Sequence, residues 1–124
     1  MKRRKETLVG ETWRINTECG SFYVTFNVDN DTLFEINMQL GKCGNCQRGL
    51  LQLSSDQLSK LIQVLDTKDL KKFIQKKWVG FSCGNPFFHK GKTYNSCIDW
   101  VGVKMLEKIK EEQQHEKEQE QKKA

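Results

Sequence analysis

The sequence predicts an α+β domain: a three-stranded antiparallel meander, then two to three helices packed on one face, with cysteine-rich turns at one end. Three short runs before residue 41 alternate apolar and polar residues, which predicts strands. The turns between them are short, so the strands pair antiparallel. After Gly41 the apolar residues change to helical spacing, which predicts the helices. A chain of 124 residues is one domain by size, with room for one modest core.

Residues 1–10 read as a basic leader with little to bury. In the first strand Trp13, Ile15 and Thr17 alternate with Arg14, Asn16 and Glu18. Cys19-Gly20 then supplies a turn, because glycine takes positive φ without steric cost. The second strand sets Phe22, Val24, Phe26 and Val28 on one face, and Asp29-Asn30-Asp31 turns the chain again. Phe34, Ile36, Met38 and Leu40 share a face of the third strand. Two hairpins return the chain twice, so Cys19 and the turn over residues 41–46 are expected at the same end of the sheet.

Leu50, Leu51, Ser54, Leu58, Leu61, Ile62 and Leu65 predict one amphipathic helix from about residue 45 to 65. Ser54-Ser55-Asp56 could instead cap a new helix and split it. Asp66-Thr67 caps a shorter helix to about Lys77, with Leu70, Phe73 and Ile74 inward and Lys68, Lys72 and Lys76 outward. Residues 78–92 contain Pro86, Gly80, Gly84 and Gly91 and read as irregular. Ser96 as N-cap and Asp99 three residues on form a capping-box pair for the last helix, whose buried stripe is Ile98, Val101, Met105 and Ile109. The domain is expected over residues 11–110. Residues 111–124 form a charged tail that is helical or disordered, since nothing apolar occurs from Lys110 to Lys123.

The net charge is +5, concentrated in the leader and in residues 68–77, where five lysines face Asp69 alone. Such runs are commonly solvated surface, with an anionic partner as the functional alternative. Nucleic acid is disfavoured because no recognised reading motif accompanies the basic residues. No apolar run reaches the roughly 18 residues a membrane helix needs, and no signal-peptide core follows the basic start. A cytoplasmic protein with reduced thiols is expected, and the odd count of five cysteines fits that expectation.

Clustered cysteines in a reducing compartment serve metal or redox chemistry more often than disulfides. Cys46 and Cys97 each fall in the first turn of a predicted helix, where unpaired N–H groups stabilise a thiolate. Cys43-x-x-Cys46 is compatible with a zinc knuckle or a redox pair, and plain thiols are the third reading. Cys83 and Cys97 could complete a four-ligand site, and His89 could supply a ligand, although such a histidine is more often a packing residue. Gly41, Lys42, Gly44 and Asn45 precede a helix start and could cradle a phosphate, although the glycines are equally explained by a tight turn. No hydrolase triad, carboxylate pair or Walker-type motif stands out.

Four motifs together resemble the TSCPD domain, found at the C-terminus of adenosylcobalamin-dependent ribonucleotide reductases and as small free-standing proteins. Asn95-Ser96-Cys97-Ile98-Asp99 matches the naming motif, with asparagine for threonine and isoleucine for proline. Cys19-Gly20 before Tyr23-Val24-Thr25, the turn from Gly41 to Cys46, and Cys83 after Val79-Gly80-Phe81 match the others in order. In the turn, Cys43 stands for the family's serine and Asn45 for a glycine. The resemblance implies that Cys19, Cys46, Cys83 and Cys97 are the family's cysteines and Cys43 an addition, with a four-thiolate zinc site as their preferred role. It also implies an association with deoxyribonucleotide synthesis. Adenosylcobalamin would enter only through a partner reductase, because nothing here matches the reductase barrel. The isolated chain is therefore expected to be a non-catalytic module that docks on or regulates a ribonucleotide reductase. The alternatives are capture of a nucleotide or other phosphorylated molecule at residues 41–45, with homo-oligomer formation compatible, and a dithiol relay through Cys43 and Cys46.

Overall fold

A computed structural model describes residues 3–17, 20–29, 32–41 and 44–109. The three alternating runs become strands β1 (Val9–Thr17), β2 (Gly20–Asp29) and β3 (Thr32–Leu40), paired antiparallel in the order β1-β2-β3. Ile15 pairs with Phe22, and Val24 with Met38, so the apolar alternation of all three strands falls on one face. Ile15, Phe22, Val24, Phe26, Ile36 and Met38 are buried there. The register slips by one residue between Asn27 and Val28, setting Val28 opposite Leu33. The extra residue is Phe34, and the bulge lets the consecutive Leu33 and Phe34 both be buried.

The predicted long helix is one piece, α1 (Asn45–Val64), with no new start at Ser54. It lies along β3, which would otherwise be an open sheet edge. Ser55 Oγ accepts from Met38 N at 2.9 Å. Ser59 Oγ accepts from Ile36 N at 3.0 Å and donates to Ile36 O at 3.1 Å, and Gln63 donates to Phe34 O at 3.3 Å. The match is geometric: four residues of helix advance about 6 Å and two of strand about 6.8 Å. Polar residues at every fourth position therefore keep step with alternate residues of the strand. The pairing also fixes direction, since α1 runs antiparallel to β3 and starts at the Leu40 end.

The predicted face of α1 is the one that packs, with Leu51, Ser54, Leu61 and Leu65 half-buried, and Leu50 is its one exception. Ser55, Leu58 and Ile62 are buried, whereas Leu50, expected on the apolar face, is 64% exposed. Leu51, the next residue, packs against the core instead. Helix α2 (Thr67–Lys77) follows as expected, with Asp66 accepting from Asp69 N at 2.8 Å, Leu70 and Ile74 buried and Phe73 half-buried.

Residues 78–92 are not uniformly irregular. They lead into a hairpin of β4 (Phe87–His89) and β5 (Lys92–Tyr94), turned by Lys90 at φ 46° and Gly91 at φ 82°. Two positive φ values at a two-residue turn match the twist of the strands they join. The last helix, α3, covers residues 97–109 of the described chain, and the charged tail beyond it lies outside the described residues. Trp100, Val101, Met105 and Ile109 are buried, and Ile98 is half-buried. At Gly102 a Cβ would meet Trp78 Cβ at 2.9 Å and Val79 N at 3.0 Å, so this glycine lets α3 seat against the end of α2.

The direction of α3 is set by aromatic and charged contacts. Trp100 meets Trp13 edge-on at 5.6 Å, while Lys108 pairs with Glu11 further back along β1. Advancing along α3 thus means retreating along β1, and α3 starts at the Thr17 end. No helix among the described residues is long and apolar enough to cross a membrane.

Candidate functional site

One end of the sheet gathers the starts of both long helices. Gly20 pairs with Thr17 at the β1–β2 turn, and Gly41 N donates to Ser21 O at 2.8 Å, so that turn and the exit of β3 are neighbours. Cys46 is exposed in the first turn of α1, at the Gly41 end. Cys97 is half-buried in the first turn of α3 and packed against the core. Cys83 is exposed in the loop after α2, its Sγ 3.8 Å from Asn85 O.

That loop is fastened to the start of α3. Asp99 accepts from Gly80 N at 2.6 Å and Asn95 N at 2.9 Å, Asn95 donates to Gly80 O at 3.2 Å, and Ser96 Oγ donates to Phe81 O. Ser96 Oγ also accepts from Asp99 N at 3.1 Å, the predicted N-cap bond. The reciprocal half differs from the expected capping box, because the carboxylate reaches Asn95 N, one residue earlier than Ser96. Sequence reasoning missed the bond to Gly80, which joins two segments nineteen residues apart.

Cys19, Cys43 and Lys42 lie outside the described residues, as does the side chain of Asn45. Among the described residues no three histidine, cysteine or acidic side chains stand together as a metal-binding group. Cysteine sulfur is a ligand type that zinc accepts, and Cys46 and Cys97 each lie in the first turn of a helix. His89 is a packing residue in this structure, with its ring edge-on to Trp100 at 6.1 Å and its Nε2 buried. Burial, then the charges of Lys90 and Lys104, hold its pKa below the ordinary histidine value. Around it, Lys90 and Lys104 sit over the Trp13 ring at 5.1 and 4.7 Å.

Beside the start of α1 a cavity of about 340 Å³ is lined by Tyr23, Gln39, Gly41, Arg48 and Gln52, with Met38 and Leu40 of β3. Of the residues singled out for phosphate binding, Gly41 borders it. Gly44 is the N-cap of α1, with φ −69° and ψ 165°, and no side chain caps the helix. Tyr23, Gln39, Arg48 and Gln52 were not legible as a group from sequence. They come from two strands and a helix, and only the register of β2 against β3 sets Tyr23 beside Gln39.

A search of curated proteins and a search of solved structures each gave no match. Residues 1–110 match the family model of the TSCPD domain, most of the chain. With the motif residues Ser96, Cys97 and Asp99 at the start of α3 and Gly41 beside the β1–β2 turn, the chain belongs to the TSCPD domain family, which is associated with ribonucleotide reductases.

Proposed function

We propose that this chain is a non-catalytic, zinc-stabilised module that docks on or regulates a ribonucleotide reductase. The family match over residues 1–110 carries this reading. The zinc part is supported by the position of Cys46 and Cys97 in the first turns of helices that begin at one end of the sheet, with the loop of Cys83 bonded to the start of α3. Cys19, Cys46, Cys83 and Cys97 would hold the ion, and zinc would supply a structural cross-link among a turn, a loop and two helix starts. Adenosylcobalamin belongs to the partner enzyme in this account. A tagged chain passed over cell extract should retain a ribonucleotide reductase and alter its rate. A reductase that stays in the flow-through and turns over unchanged contradicts the docking role.

A second reading is favoured by the cavity against Gly41, namely capture of a nucleotide or other phosphorylated molecule at residues 41–45. Calorimetry against nucleotides tests it, and Lys42→Ala leaving the affinity unchanged counts against that loop.

A further inference from the structure

Resting on the nucleotide-binding reading, we propose that the cavity between α1 and the outer face of the sheet takes a nucleoside phosphate, with Arg48 at the phosphate and Tyr23 and Gln39 at the base. The site exists because the contact between α1 and β3 stops short. Gln63, Ser59 and Ser55 meet Phe34, Ile36 and Met38 in turn, and the next positions toward the helix start on that side are Gln52 and Arg48. They do not continue the series. Gln52 turns its amide to Asp56 at 3.0 Å, and Arg48 makes no ion pair with any described residue. The space left beside Met38, Gln39 and Leu40 is the cavity.

Its chemistry is selective. Arg48 is the one charged side chain among the described lining residues, and the nearby Asp56 carboxylate is engaged by the Gln52 amide. A guanidinium offers paired donors that match phosphate geometry. Tyr23 contributes an aromatic ring, and the Gln39 amide contributes both a donor and an acceptor, the complement of a nucleobase edge. The volume of about 340 Å³ falls at the lower end of the about 300–1,000 Å³ range of small-ligand sites, which favours a monophosphate over a larger nucleotide. The cavity borders Gly41, so the ligand would lie at the end of β3 beside the start of α1.

The experiment is calorimetry on the full chain with AMP, GMP, CMP and UMP as probes, alongside the matching nucleosides and inorganic phosphate. At least one monophosphate should bind, and Arg48→Ala should weaken it by about tenfold or more, since a charge-assisted bond is lost. Arg48 is exposed on a helix, and alanine favours helix, so that variant should keep its fold. The matching nucleoside and phosphate should each bind at least about tenfold more weakly than the whole ligand. A monophosphate weakened by Lys42→Ala but not by Arg48→Ala overturns this cavity while the loop reading survives. No binding by any monophosphate overturns the proposed site, while the broader loop reading falls only if the other nucleotides of its own calorimetry fail as well. Phosphate binding as tightly as the monophosphate removes the base contacts and with them the proposed ligand class.

Discussion

The starts of α1 and α3 have the same local sequence logic, a cysteine in the first turn after a small residue, yet the fold treats them differently. At α3 the cap is a buried network in which Ser96 and Asp99 satisfy Gly80, Asn95 and their own helix and hold Phe81. At α1 the cap is Gly44, no acidic residue occupies the first turn, and Cys46 and Arg48 are exposed. One start spends its polar groups on holding the fold, and the other leaves them available. The contrast teaches that Cys97 stands beside a buried cap network, whereas Cys46 stands beside a helix start without a side-chain cap.

The largest test of that contrast is Asp99→Ala. It removes two hydrogen bonds from a buried carboxylate and leaves Gly80 N and Asn95 N unpaired, so unfolding in urea should show a loss of about 3 kcal/mol. Ser96→Ala strips the N-cap and the bond to Phe81, and should cost about 1–2 kcal/mol in the same assay.

A pH titration sharpens the comparison on the α3 side. His89 has a folded pKa below its unfolded value, so the folded state favours the neutral imidazole. Its contribution is complete above the unfolded value of about 6.5 and is lost as pH falls below it. Glu11 and Glu35, held low by Lys108 and Arg4, stay ionised through that window and lose their contribution only at more acid pH. Stability should therefore decline from pH 7 to 5 in the parent chain, and His89→Gln should flatten that decline. The smallest effect is expected at the open start: Gly44→Ser should add only a few tenths of a kcal/mol, because glycine is already a tolerable N-cap. A gain as large as the loss at Ser96 would mean that the two starts are not different in kind.

Much of this was legible in the sequence. Alternation placed Phe22, Val24 and Phe26 on the buried face, and two short turns predicted the common end at which Gly20 and Gly41 lie. Asp66 and Ser96 were readable as caps because side-chain chemistry acts over three residues. What escaped depends on distance along the chain. Spacing sets Leu50 on the apolar stripe but does not show where the neighbouring elements end, and Leu50 is exposed. Serine at Ser55 and Ser59 reads as helix surface until β3 supplies an edge to bind. Trp100 lies outside the aliphatic stripe read for α3, yet it is fully buried against Trp13. The β4–β5 hairpin was hidden because Lys90-Gly91 lacks the asparagine that usually marks such a turn.

The zinc-stabilised module stands or falls on what the thiols hold. Zinc measured on the reduced, purified chain, with thiol reactivity read in parallel, should give about one ion per chain and four shielded thiols, and Cys46→Ser or Cys97→Ser should release the metal. A folded protein that carries no metal while all five thiols react freely would contradict it.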